Sequence, residues 1–262
     1  VMISVHTLEK PEHKQKIAAH FSRAAQSYQH HNGLQRWCAK RLLNWLPAST
    51  GMTVDIGCGP AVNTDALLAR TNHYIGVDIA SGMLSAAQSK YPENTWIRAD
   101  LEQLPFQEAA IDTIYANLAV QWADDLAATL KQWLQLLRPS GCIVASTVLS
   151  GSLSPLANYF QQYTGAKRHN RFYSTTTLHQ ILSALDGVSV QFEVEQVTMP
   201  YQSVRSMLYD LKGIGANYQP QPQQPLTRKN LSQVEEAMEI HRTHDGMLPL
   251  TWSIGFIKLT KG

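Results

Sequence analysis

The chain has little of what would commit it to a metal, a disulfide framework or a polyanion. Only 3 of its 262 residues are cysteine. Cys38, Cys58 and Cys142 are odd in number and scattered, which argues against a stapled secreted scaffold and for reduced thiols in a cytoplasmic setting. The 10 histidines include His30-His31 and His241-x-x-His244, but neither pair has zinc spacing, so both are read as surface or supporting side chains and no metal is expected. A net charge of +2 is too small to demand nucleic acid. No apolar run is long enough to cross a bilayer, and the charged and polar N-terminal residues do not read as a secretory signal. No repeat is evident. What remains is a chain with 44% hydrophobic residues, enough for a packed core, and a length that suits one domain with a substantial insertion.

The most informative stretch is Val54-Asp55-Ile56-Gly57-Cys58-Gly59-Pro60-Ala61. An apolar strand runs into a glycine turn, and a second apolar run, Tyr74 to Val77, closes on Asp78. In an open α/β sheet such glycines let backbone approach a nucleoside ligand, and the second acid accepts its ribose hydroxyls. A dinucleotide site would want a third glycine where this chain has Val62. Asp55 would repel a pyrophosphate and suits a cationic amino-acid moiety. The pattern resembles the Asp-x-Gly-x-Gly loop of S-adenosylmethionine (SAM) methyltransferases.

Further strands with polar ends follow. Trp96 to Ala99 closes on Asp100, which precedes Leu101. Asp112 to Asn117 is a fourth strand. Arg138-Pro139-Ser140-Gly141 reads as a helix stop before a fifth strand from Cys142. Val188–Val197 and Trp252–Leu259 supply two more. Strands alternating with helices imply α/β architecture, a doubly wound and mostly parallel seven-stranded sheet. Ligands bind such sheets at the carboxyl ends of the strands. The cofactor-binding set is therefore expected to be Asp55, Gly57, Gly59, Asp78, Ile79, Met83, Asp100, Leu101 and Asn117, as in class I SAM methyltransferases, which are Rossmann-like.

Four parts are expected along the chain. Residues 1–50 form an N-terminal helical cap, with apolar residues at helical spacing from Ile17 to Tyr28 and from Leu34 to Trp45. Residues 51–199 form the SAM-binding core, with a helical insertion at 151–186. Residues 200–249 form a helical lid, with Gly213 and Gly215 as loosening points, and residues 250–262 return to the core as its final strand.

Several stretches outside the cofactor loop are more specific: Phe21-Ser22-Arg23-Ala24-Ala25-Gln26-Ser27-Tyr28, Asn117-Leu118-Ala119-Val120-Gln121-Trp122, Asn170-Arg171-Phe172 and Leu211-Lys212-Gly213-Ile214-Gly215-Ala216. In this order they resemble the malonyl-acyl carrier protein O-methyltransferase (BioC) family of biotin synthesis, over roughly residues 15 to 260. The chain departs from that family's habit at Ala61, where glycine is usual, at Trp252, where tyrosine is usual, and at the position of His169.

The resemblance implies a SAM-dependent carboxyl O-methyltransferase acting on the free carboxylate of a malonyl thioester. That acceptor needs no general base, because it is already ionised at neutral pH. It needs an anchor, and an arginine fork matches a carboxylate. Arg171 is the first candidate and Arg23 the second, with Tyr28, Gln121 and Trp122 completing the catalytic set. The implied partner is an acidic carrier protein. Basic clusters at Lys14, Lys16, Arg36, Lys40 and Arg41, at Lys167, Arg168 and Arg171, and at Arg205 and Lys212 all suit it. The competing readings are a SAM methyltransferase of a small free acid or quinone precursor, and a SAM-binding regulator without catalysis.

Overall fold

The computed structural model describes residues 2–4, 12–165, 172–213 and 226–262. The strands are β1 (Met2–Ser4), β2 (Thr50–Ile56), β3 (Thr71–Asp78), β4 (Thr95–Arg98), β5 (Ile111–Asn117), β6 (Leu137–Val148), β7 (Val188–Tyr201) and β8 (Leu248–Lys261). They form one sheet in the order β1-β4-β3-β2-β5-β6-β8-β7. Among the described strands, β8 alone runs opposite to the rest, pairing antiparallel with β6 and β7. The seven expected strands are all present, and the three-residue β1 adds an eighth at the edge beside β4. The chain moves outward from β2 to β3 and β4, then returns to place β5 on the other side of β2. That reversal makes a crevice above the carboxyl ends of β2 and β5.

The helices are α1 (Glu12–Ala24), α2 (Tyr28–His31), α3 (Gly33–Leu43), α4 (Thr64–Leu68), α5 (Ser81–Lys90), α6 (Leu126–Leu136), α7 (Leu156–Thr164), α8 (Thr175–Ser183), α9 (Val204–Gly213) and α10 (Arg228–Met238). The sheet is covered on both faces, and its buried strands alternate between two cores. Ile114 and Ile143 face the core under α6 and α8, whereas Tyr115 and Val144 face the one under α3, α7 and the insertion helices. On α6, Leu126, Leu130, Trp133 and Leu134 recur at helical spacing and are all buried. Each fully buried side chain of this kind stabilises by roughly 1.5–3 kcal/mol. The helix starts where the Asp125 carboxylate accepts the Ala128 N–H at 3.0 Å.

One local expectation is corrected. Arg138–Gly141 is not simply a stop before the fifth strand, because β6 already pairs with β5 at Leu137. The register shifts between the Ile111–Leu137 and Thr113–Cys142 pairs, so residues 138–141 form a bulge. Gly141 is needed there, since a Cβ would lie 2.9 Å from the Arg138 carbonyl oxygen.

The segment between β7 and β8 carries α9 and α10. Helix α10 packs on α7, and α9 packs on α2. Two side chains join α2 and the turn before it to α9. His31 Nδ1 lies 2.8 Å from Asp210 Oδ1, and Ser27 Oγ donates to the Gly213 carbonyl at 3.0 Å. Gly213 is therefore a point of close approach rather than a loosening point: a Cβ there would collide with the His31 ring. Gly215 lies outside the described residues.

Candidate active site

The glycine turn after β2 is held by the end of β3. The Gly57 and Cys58 N–H groups both donate to the Val77 carbonyl, at 2.8 and 3.1 Å. Gly57 and Gly59 adopt φ values of 70° and 54°, a region that favours glycine. Ala61 does the same at 61°, so alanine keeps the turn that glycine would make more easily. A side chain at Gly57 would put its Cβ 2.6 Å from that of Ala119. The Asp78 carboxylate fixes both sides of the crevice, accepting the Gly59 N–H at 3.0 Å and the Ala80 N–H at 2.8 Å.

Above this turn is a cleft lined by α1, the end of β3 and the loops after β2, β4 and β5. From the expected cofactor set it brings together Gly57, Gly59, Asp78, Ile79, Met83, Asp100, Leu101 and Asn117. From the expected catalytic set it adds Tyr28 and Trp122. Helix α1 closes one side, and its Phe21 ring meets the Trp122 ring edge-on with centroids 5.3 Å apart. Burial, followed by the charges of Asp78 and Asp55, pushes the Tyr28 hydroxyl well above its ordinary pKa. It therefore stays a neutral donor at physiological pH. The Asn117 amide is anchored at both ends: its nitrogen donates to the Gln35 carbonyl at 2.9 Å, and its oxygen accepts from Ser146 Oγ at 2.8 Å.

Three of the expected residues that are described do not line the cleft. Asp55 lies beneath it, because β2 is covered on both faces; it is 2% exposed, and Tyr74 donates to it at 2.8 Å. Burial raises its pKa to about 7; the Tyr74 hydroxyl opposes that shift and the Asp78 charge adds to it. Gln121 spends its amide donor on the Leu118 carbonyl at 2.7 Å, and its buried oxygen has no partner among the described residues. Arg23 lines a neighbouring groove between α1 and α9. Arg171 lies outside the described residues, as do Lys167, Arg168 and His169.

Sequence reasoning misplaced Lys14. It stands in a basic cluster expected to suit an acidic carrier protein, yet it is 3% exposed and lines the cleft. Its ammonium lies 2.7 Å from Glu102 and 3.6 Å from both Asp100 and Asp124, and donates to the Trp122 carbonyl at 2.9 Å. Burial works to lower its pKa, but the Glu102 bond and the three carboxylate charges outweigh burial and raise it. The available signal was position: Lys14 and Ile17 are three residues apart, and both turn inward on one face of α1.

This donor set fits SAM. The cleft combines an acid at the end of β3, apolar side chains flanking it and a glycine turn without room for a Cβ at Gly57. Its only lining cation, among the described residues, is Lys14, which three carboxylates already compensate. Such a site accepts a nucleoside bearing positive charge and offers no cradle for a pyrophosphate.

Comparison with known proteins agrees. A family model described as a methyltransferase domain matches residues 54–145, the span from within β2 into β6. The YcgJ protein of Bacillus subtilis superposes with a TM-score of 0.61 at 16% identity, covering 86% of this chain and 98% of that one. A putative methyltransferase from Bacillus halodurans gives 0.61 at 12% identity, covering 85% and 98%. Fold and site thus define a class I SAM-dependent methyltransferase. The malonyl-[acyl-carrier protein] O-methyltransferase of Enterobacter lignolyticus is 33% identical over 93% of this chain and 96% of its own length. That of Pseudescherichia vulneris is 35% identical over 92% and 95%. The bifunctional biotin biosynthesis protein BioHC of Cellvibrio japonicus is 32% identical over 97% of this chain, which spans 52% of that longer protein. The chain belongs to the malonyl-[acyl-carrier protein] O-methyltransferase family.

Proposed function

We propose that the enzyme methylates the free carboxylate of a malonyl thioester carried on acyl carrier protein, the reaction that starts the pimeloyl part of biotin. The observation that carries the proposal is full-length similarity to relatives named for this activity, joined to a cleft that fits SAM. When bound, SAM supplies an electrophilic methyl group on a sulfonium.

The protein's own work is to hold and align two reactants. Asp78 and the glycine turn would hold the cofactor's ribose and amino-acid moiety. Ile79, Met83 and Leu101 would flank its base. Phe21 and Trp122 wall the cleft against water. Tyr28, kept neutral, can donate a hydrogen bond to the acceptor carboxylate without competing as a base. Arg171 is proposed as the carboxylate anchor, because a planar fork can fix both oxygens while a point charge cannot. The product is a neutral ester, which the apolar channels of chain-elongating enzymes accept where they would reject a charge.

Initial rates discriminate the competing small-acid reading. With saturating SAM, malonyl-carrier protein is expected to be turned over far more efficiently than free malonate or malonyl-CoA. Equal kcat/KM for the free acid would favour a small-acid methyltransferase.

A further inference from the structure

A second concave site lies beside the cofactor cleft, between α1, α2 and α9. Among the described residues the α1–α2 segment separates the two: Phe21 and Tyr28 line the cleft, whereas Arg23 and Ser27 line the groove. Lys212 reaches the same groove from α9, and His20 adds a third nitrogen-bearing side chain. No carboxylate lines it among the described residues. The nearest acid along the chain, Asp210, is already engaged by His31 at 2.8 Å and by the Tyr201 hydroxyl at 2.7 Å.

Several arginines elsewhere on the chain are already paired with carboxylates. Arg41 is held by Glu193 and Glu195, Arg205 by Glu235, and Arg242 by Glu239. Arg23 and Lys212 make no ion pair among the described residues. Two unpaired cations from separate elements thus face one cavity. The α2–α9 contacts hold the elements together at its base, where Ser27 bonds the Gly213 carbonyl. Tyr209, 66% exposed, stands at the rim and packs edge-on against His31 with centroids 4.9 Å apart. Convergent cations without acids bind a compact anion, and an arginine beside a lysine suits phosphate oxygens.

We infer that this groove binds the phosphodiester of the phosphopantetheine arm that presents the thioester. The inference rests on the carrier-thioester reading above. A long, thin arm has its fixed negative charge at one end and its reacting group at the other. Seating the phosphate beside α1 would set the arm's reach into the neighbouring cleft while leaving the cofactor contacts untouched. It also separates the roles of the cations: Arg23 and Lys212 hold the arm, and the malonyl carboxylate is held elsewhere.

The test compares phosphopantetheine with pantetheine as ligands of the SAM-loaded enzyme by ligand-observed NMR, and their malonyl thioesters as methyl acceptors. Wild type should prefer the phosphorylated form in both Kd and KM, by roughly tenfold or more, the scale of a charge-assisted hydrogen bond. In the double variant Arg23→Gln/Lys212→Gln both ratios should fall toward one, with SAM affinity retained as the check on folding. A wild type indifferent to the phosphate, or a variant that keeps the preference, overturns the site. A variant impaired only with intact carrier protein overturns it too, and assigns the groove to acidic side chains of the carrier. Phosphate-dependent binding through these residues without methylation of any malonyl thioester would instead sink the proposed reaction and leave the site standing.

Discussion

The Lys14 ammonium on α1 lies 2.7 Å from the Glu102 carboxylate, in the loop after β4. This contact ties the N-terminal helix to the segment that carries Asp100 and Leu101, and so makes α1 part of the cofactor site. Lys14→Met would leave Asp100, Glu102 and Asp124 facing one another without the ammonium between them, with His13 touching only Asp124. Breaking a buried pair costs about 3–5 kcal/mol, but Glu102 and Asp124 are partly exposed, so a loss of about 1–3 kcal/mol is expected. Denaturant unfolding measures it, and SAM affinity should fall in parallel. Lys14→Arg should recover part of both.

The same cluster predicts an acid limit. Burial works to raise the Glu102 pKa, but the Asp125 N–H and Lys14 outweigh it and hold the carboxyl below its ordinary 4.5. A depressed carboxyl stabilises the fold above its unfolded pKa, and that contribution is lost as pH falls through the folded value. Wild type should therefore lose stability below about pH 4.5 more steeply than Lys14→Met. Parallel curves of melting temperature against pH would contradict the assignment.

Asp55 behaves in the opposite sense. Its folded pKa, raised by burial to about 7 from 3.8, means that the ligand-free fold loses stability as pH rises between those values and changes no further above them. A cationic ligand above the turn favours the ionised form. SAM affinity should then strengthen as pH rises through about 7, with proton release visible as a buffer dependence of the calorimetric enthalpy. Asp55→Asn should abolish that dependence.

Much of this site was legible because its chemistry is local. The glycine turn, Asp78 and Asp100 each end an apolar strand, and a doubly wound sheet brings strand ends together whatever the rest of the chain does. What could not be read depends on contacts distant in sequence. Asp55 and Asp78 look equivalent as strand-end acids, but Asp55 lies within a strand covered on both faces and Asp78 at the rim. Lys14 reads as one of several cations until α1 is seen to turn it toward the loop after β4. Gly213 reads as a flexible joint until His31 is packed against it. Strand β1 has only three residues, too few for a periodic signal.

Recognition of the ribose predicts a specific loss. Asp78→Ala should weaken SAM binding by roughly 1.5–3 kcal/mol, the scale of a hydrogen bond to a charged group. Because Asp78 also accepts the Gly59 and Ala80 N–H groups, Asp78→Asn should recover little, since an amide offers one acceptor oxygen where the carboxylate offers two. Calorimetry on the three proteins measures both effects.

The acceptor side separates from the cofactor side. Arg171→Ala should lower turnover of malonyl-carrier protein strongly while leaving SAM affinity near the wild-type value, and Arg171→Lys should rescue poorly. Wild-type kinetics for Arg171→Ala would place the carboxylate anchor on another residue.

The central claim is carboxyl methylation of a carrier-bound malonyl thioester, and intact-protein mass measurement tests it most directly. Purified enzyme, SAM and malonyl-carrier protein should yield carrier protein heavier by a single methyl group, with the label confined to the malonyl arm and absent from unloaded carrier. SAM binding with no gain in carrier mass would contradict the account.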